Sequence, residues 1–184
     1  MRTCPEPVAS KNLQEQLAEA MQGIMVVMGI GNPCRGDDAA GSLVARKISD
    51  AAFVHVIDAQ DVPENYLWRV VQHKPDAVVL IDSVDLHSVP GATTLLDKKQ
   101  MAAYWPNTHR MPIALLMDYL ERETHARVLL IGIQPLRTDF SEMLSTVVSS
   151  SVQALADLLN TVIAARTTAA QAEFANQFRK AVTW

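Results

Sequence analysis

The chain has 184 residues, 49% hydrophobic and 20% charged, with a formal net charge of -4. That length suits one compact domain with a sizeable core, and the composition is that of an ordinary globular protein. The acidic balance leaves no basic stripe for nucleic acid, and no run of 18 apolar residues marks a membrane span.

Residues 1–23 form an N-terminal extension without the apolar stretch of a secretory leader, and Leu13, Leu17 and Met21 mark a short amphipathic helix in it. Three apolar, β-branched runs follow: "IMVVMGI" (24–30), "FVHVID" (53–58) and "DAVVLIDSV" (76–84). Continuous apolarity of strand length predicts strands buried on both faces, as in a parallel sheet. Between them, 38–50 and 63–74 have helical spacing: Leu43, Val44 and Ile48 line one face of the first, Leu67, Val70 and Val71 one face of the second. Pro63 opens the second at the favoured first-turn position. A turn at Pro90-Gly91 precedes a short strand suited to an antiparallel edge. Residues 101–112 read as an irregular loop, and Pro112 starts a helix, which leaves His109 just ahead of its N-terminus. A fourth long strand at 126–133 leads into a final helix from 141 to 165, and Phe174 and Phe178 lie one turn apart in the tail. The alternation predicts an α/β fold: a three-layer sandwich, a mostly parallel twisted sheet of about five strands flanked by helices on both faces. It forms a single domain over 1–184, with core 24–163 and C-terminal tail 164–184. Cys4 and Cys34, far apart in sequence, imply no disulfide framework, so the expected location is cytoplasmic.

The turn after the first strand, "GIGNPCRGDD" (29–38), is the most informative stretch. It lacks the third glycine of a dinucleotide fingerprint, having Cys34 there. Gly31 and Gly36 have Walker spacing, but Asp37 and Asp38 replace the lysine and hydroxyl, setting two anions beside amides that would hold phosphate. Nucleotide binding is therefore disfavoured. Asp37 is expected to cap the following helix, which leaves Asp38 for another task.

In an open α/β sheet, ligands gather beyond the carboxyl ends of the strands. Asp58 ends the second strand, and Asp82 lies near the carboxyl end of the third, with Asp85 beyond it. A carboxylate inside "VVLIDSV" is costly unless paired, hydrogen-bonded or metal-bound, so Asp82 is either a satisfied structural residue or a ligand. With Asp38 and His109 it would complete a three-ligand O/O/N set with open positions, suited to a divalent first-row metal. His55, His73, His87 and His125 lack partners at ligand spacing. Cys34 offers a competing chemistry, a thiolate at a helix N-terminus with His109 as its base.

The segments "GIGNPCRGDDAAG", "DVPEN", "VVLIDSVD" with "PG" soon after, "THRMP" and "LLIGIQP" follow in an order and spacing similar to those of the NiFe-hydrogenase maturation endopeptidases. The likeness is nearest the type that processes the large subunit of the formate hydrogenlyase hydrogenase (hydrogenase 3), and it covers about 24–163. It implies a twisted five-stranded sheet and a peptidase that removes a C-terminal extension from the nickel-loaded precursor of a hydrogenase large subunit. By motif position the family's metal ligands fall on Asp38, Asp82 and His109, with nickel presented by the precursor and other divalent metals possible in vitro. The same three residues would act in cleavage through that metal. Water could be activated by a carboxylate base or by the metal. The family is sometimes grouped with aspartic peptidases. A non-proteolytic nickel chaperone of the same precursor is the alternative reading. The implied partner is that precursor, with no nucleic acid or membrane.

Overall fold

A computed structural model describes residues 12–20, 22–104 and 111–182. Five strands form one sheet: β1 (Met25–Ile30), β2 (Val54–Gln60), β3 (Ala77–Ser83), β4 (Thr93–Leu96) and β5 (Arg127–Ile133). Their order across the sheet is β2-β1-β3-β5-β4. Strands β1, β2, β3 and β5 run parallel, and β4 pairs antiparallel with β5 at one edge, as the Pro90-Gly91 turn implies. The chain leaves β1 to build β2 on one side and returns to place β3 on the other, so the connections diverge between β1 and β3.

Alternate strand residues feed two separate cores, as a period of two requires. Met25, Val27, Val79, Ile81, Leu129 and Ile131 face one core. There they meet helices α1 (Leu13–Ala20), α2 (Ala40–Ala45) and α6 (Thr146–Val182). Val26, Met28, Val78, Leu80, Val128 and Leu130 face the other. Helices α3 (Leu67–Gln72), α4 (Lys98–Tyr104) and α5 (Met111–Thr124) cover that side. The result is the three-layer α/β sandwich expected from the alternation.

Several boundaries differ from the periodicity. The segments read as helices at 38–50 and 63–74 begin as tight 3-10 turns, Gly36–Ala39 and Pro63–Tyr66, before α2 and α3. Pro63 stands in the first turn as anticipated. Helix α4 occupies the start of what reads as a loop; Asp97 and Gln100 cap it reciprocally through their side chains and backbone amides. The N-terminal helix is more than an appendage, since Leu17 is fully buried; Met21 lies outside the described residues.

The final helix starts at Thr146, later than position 141, and runs unbroken through the expected tail to Val182. No Gly or Pro interrupts residues 146–182, and Ala, Gln and Arg dominate the later turns, so nothing local ends it. Its stretch Thr146–Ala172 is apolar and long enough to cross a membrane by composition. Val148, Val152, Leu155, Leu159 and Val162 bury one stripe of that stretch in the core, which accounts for its apolarity.

On the α3 side, the rings of His55 in β2 and His73 stack with centroids 3.8 Å apart. Burial, the neighbouring His55 and Arg69 together lower the His73 pKa, against a smaller opposing pull from Asp50. A folded-state pKa below the unfolded value means the unfolded chain binds the proton more readily. Stability linked to His73 is thus complete above about pH 6.5 and declines as pH falls toward the lowered value. Thermal unfolding of His73→Gln followed from pH 7 to pH 5 should show a smaller drop in midpoint than the unaltered protein.

Candidate active site

The glycine turn joins β1 to α2 at the divergence between β1 and β3, where a crevice forms in open α/β sheets. Gly41, in the first turn of α2, is why the helix can start so close. A Cβ there would lie 2.0 Å from the Ile81 carbonyl oxygen and 2.4 Å from that of Ile30. The helix start is thereby seated across the carboxyl ends of β1 and β3. Gly36 opens the 3-10 turn at φ +54, a left-handed conformation that favours glycine.

Every backbone N–H from Gly31 to Asp38 is engaged, Pro33 having none. Gly31 donates to the Gln60 carbonyl, Arg35 to that of Asn32, Gly36 to that of Ser141, Asp37 to that of Arg137 and Asp38 to that of Arg35. Cys34 N–H donates to the Asn32 side chain, and Asn32 N–H donates to a carboxylate oxygen of Asp38 at 3.3 Å. A phosphate loop needs such amides free. The turn has the outline of one and none of its donors, which removes the nucleotide reading on geometric as well as electrostatic grounds.

The two aspartates have different surroundings. Asp37 is completely buried. It makes no side-chain cap to its own 3-10 turn, contrary to expectation. Its carboxylate instead accepts from the N–H groups of Leu136 (2.9 Å), Arg137 (3.1 Å) and Ser145 (2.6 Å), and from the Ser145 hydroxyl (2.9 Å). These donors lie about 100 residues away in sequence, in the loop between β5 and α6, and no local pattern could reveal them. Burial alone would raise the Asp37 carboxyl pKa, but the donors from Ser145, Arg137 and Leu136 outweigh it and hold the group below the usual carboxylate range. The isolated pairing of Arg35 with Ser141 ties the same loop to the turn a second time.

Asp38 is half-buried, with its backbone at the rim of the β1–β3 divergence and one oxygen held by Asn32 N–H. The Asn32 amide group reaches on to Asp61 at 3.0 Å. Asp82, also half-buried, occupies the penultimate position of β3, and one of its oxygens accepts from Ser83 N–H at 2.7 Å. The 3-10 turn carrying Asp38 packs against β3. Two of the three expected ligands therefore share the carboxyl edge at the divergence. His109 lies outside the described residues. Helix α5, beginning two positions after it, packs on the face toward which Asp82 alternates and leads directly into β5. Among the described residues, no group of three His, Cys, Asp or Glu side chains converges as a metal site.

The remaining acidic strand end is structural: Asp58 accepts from the Ser42 hydroxyl at 2.6 Å and from Arg46 Nε at 2.7 Å, fastening α2 to β2. Cys34 is an exposed free thiol, and its suggested partner His109 lies outside the described residues.

The sequence profile of HycI, the hydrogenase maturation proteases, matches residues 40–162, from the start of α2 well into α6. The chain belongs to the hydrogenase maturation protease family. It is 27% identical over 164 residues to a putative hydrogenase maturation protease of Methanocaldococcus jannaschii, covering 82% of this chain and 94% of that protein. It is 34% identical over 113 residues to the hydrogenase 3 maturation protease of Escherichia coli K12, covering 60% of this chain and 72% of the relative. The crystal structure of the NiFe hydrogenase maturation protease HycI from Thermococcus kodakarensis superposes with a TM-score of 0.73 at 29% identity, over 80% of this chain and 98% of that one. The protease from E. coli called HybD, at 18% identity and a TM-score of 0.61, shares the fold. The protease is thus a peptidase, as the resemblance of its motifs implies, built on the family's sheet.

The different environments of the adjacent aspartates separate experimentally. Asp37→Ala leaves three backbone donors and a hydroxyl without an acceptor in a buried place, and should cost at least about 3 kcal/mol in denaturant unfolding. Asp38→Ala removes one long hydrogen bond from a half-buried group and should cost no more than about 1 kcal/mol.

Proposed function

We propose that this protease removes a C-terminal extension from the nickel-loaded precursor of a NiFe-hydrogenase large subunit, and that Asp38 and Asp82, with His109, engage the nickel which the precursor carries. The observation that carries the reading is the placement of two half-buried carboxylates, from different strand ends, at the one point where the sheet's connections diverge. Both are oxygen donors that leave coordination positions for a substrate-borne ion, which suits a divalent first-row metal. A metal engaged by these residues would supply Lewis acidity, to polarise a carbonyl or acidify a water. The chain's own contribution is orientation: Asn32 N–H donates to Asp38 and Ser83 N–H donates to Asp82, which limits the directions in which the two carboxylates can turn.

Using carboxylates as metal ligands differs from the proton-sharing dyad of aspartic peptidases, in which two acids must sit together and share one proton. The site is read here as recognising a loaded precursor, with cleavage directed beside the metal. The expected setting is the cytoplasm, where the exposed Cys34 thiol stays reduced.

The test is incubation of the protease with purified precursor in nickel-loaded and nickel-free forms, with release of the C-terminal peptide read by mass spectrometry. Cleavage of the loaded form alone is expected; equal cleavage of both forms would sink nickel recognition. A precursor that binds and stays intact would favour a chaperone instead. Asp38→Ala and Asp82→Ala should each lower the rate at least about a hundredfold, the scale of losing one electrostatic contact to a reacting centre.

A further inference from the structure

The loop from Gln134 to Ser145 carries apolar side chains where a monomeric protein would normally place polar ones. Phe140 is 84% exposed, Met143 70%, Leu136 58% and, at the start of α6, Val147 43%. Val89 is 73% exposed and enters the same neighbourhood, because Gly91 donates to the Gln134 carbonyl and packs against Val147. Single exposed hydrophobics need no explanation, but four between Leu136 and Val147, on one hydrogen-bonded loop and the helix start it leads into, concentrate apolar area at one edge.

The loop is also well fixed. The Asp37 carboxylate receives Leu136 and Arg137 from one end and Ser145 from the other, which closes the loop on itself. Its middle is stitched to the glycine turn: Ser141 N–H donates to the Cys34 carbonyl, and Gly36 N–H donates to the Ser141 carbonyl. Phe140 and Met143 flank that stitched residue. The apolar surface is therefore built onto the backbone that presents Asp38, held there by a residue adjacent to it.

We propose that this rim, Leu136, Phe140, Met143 and Val147, is the docking surface for the substrate polypeptide, taking an apolar segment of the precursor close to its scissile bond. The inference rests on the strand-end aspartates being where the scissile segment is held. Continuity selects the occupant. A peptidase must bring polypeptide to its site, and the 134–145 loop is hydrogen-bonded to the very turn that carries Asp38, so polypeptide engaged there lies beside the loop. Rigidity of the loop supports the role, since a preformed apolar surface binds without an ordering cost. A mixed fringe of Arg35, Arg137, Asp139 and Glu142 around the patch matches the polar rim of recognition surfaces.

The experiment measures steady-state cleavage of purified, nickel-loaded precursor by Phe140→Ser, by Phe140→Ser/Met143→Ser and by the conservative Phe140→Leu. All side chains replaced are largely exposed, and thermal melts verify that each variant folds. The double variant should raise KM about tenfold or more, the effect of losing an aromatic anchor, with kcat altered less than about twofold. Phe140→Leu should recover most of the loss. A second measurement follows binding of the precursor to Asp38→Ala with and without Phe140→Ser; the added change should weaken capture about tenfold. An unchanged KM with cleavage intact would overturn the docking surface and leave the proposed function standing. A lowered kcat at unchanged KM would overturn it too, by showing that the loop acts only on the site's geometry. Dissociation of a dimer by the substitutions at unchanged KM would assign the patch to a second copy of the chain. Absence of cleavage by the unaltered enzyme would overturn the function itself, a result separable from each of these.

Discussion

The buried carboxylate of Asp37 organises the carboxyl edge of the sheet where β1 and β3 diverge. Four donors from one distant loop converge on it, and none comes from its own turn. A charge removed from water is tolerated only when such bonds replace its hydration, and here they do so well enough to hold the acid below its usual range. Three structures depend on that arrangement. The loop after β5 acquires a single shape, α6 acquires a fixed start at Ser145–Thr146, and the turn that presents Asp38 acquires a partner along its length. The neighbouring Asp38 stays half-buried at that edge, while the buried acid carries the structural duty.

The same turn shows how a common backbone outline can lose its fitness for an anion. Strand, glycine turn and helix are the ingredients of an anion site, and the free amides make it one. In this protease the amides are consumed one by one, by Gln60, by Asn32, by the 134–145 loop and by Asp38 itself. Where the N–H groups point decides whether such a turn can hold an anion, and here they point into the protein.

Much of this was legible from residue patterns, and the failures have physical causes. The four long strands and their parallel arrangement follow from continuous apolar runs, and the antiparallel edge from Pro90-Gly91. The sequence reading that separates Asp37 from Asp38 rests on a cap that Asp37 does not make. What Asp37 binds was not readable, since its donors sit about 100 positions away and Leu136, Arg137 and Ser145 carry no mark of the contact. The final helix is expected to span 141–165 with an appended tail, whereas α6 runs on as one helix to Val182. Helix continuation needs only the absence of a breaker and good propensity. Capping by Asp97 and Gln100 similarly turned an apparent loop into α4. No pattern marks the apolar rim, since Leu136, Phe140 and Met143 fit neither a strand nor a helix period.

Gly41 has a further consequence. With the Ile81 and Ile30 carbonyls where its missing Cβ would stand, α2 cannot slide along the sheet without backbone meeting backbone. Fastening of α2 to β2 through Asp58 closes the remaining direction. One wall of the crevice is thus inelastic, and any give at this end of the sheet has to come from elements other than α2.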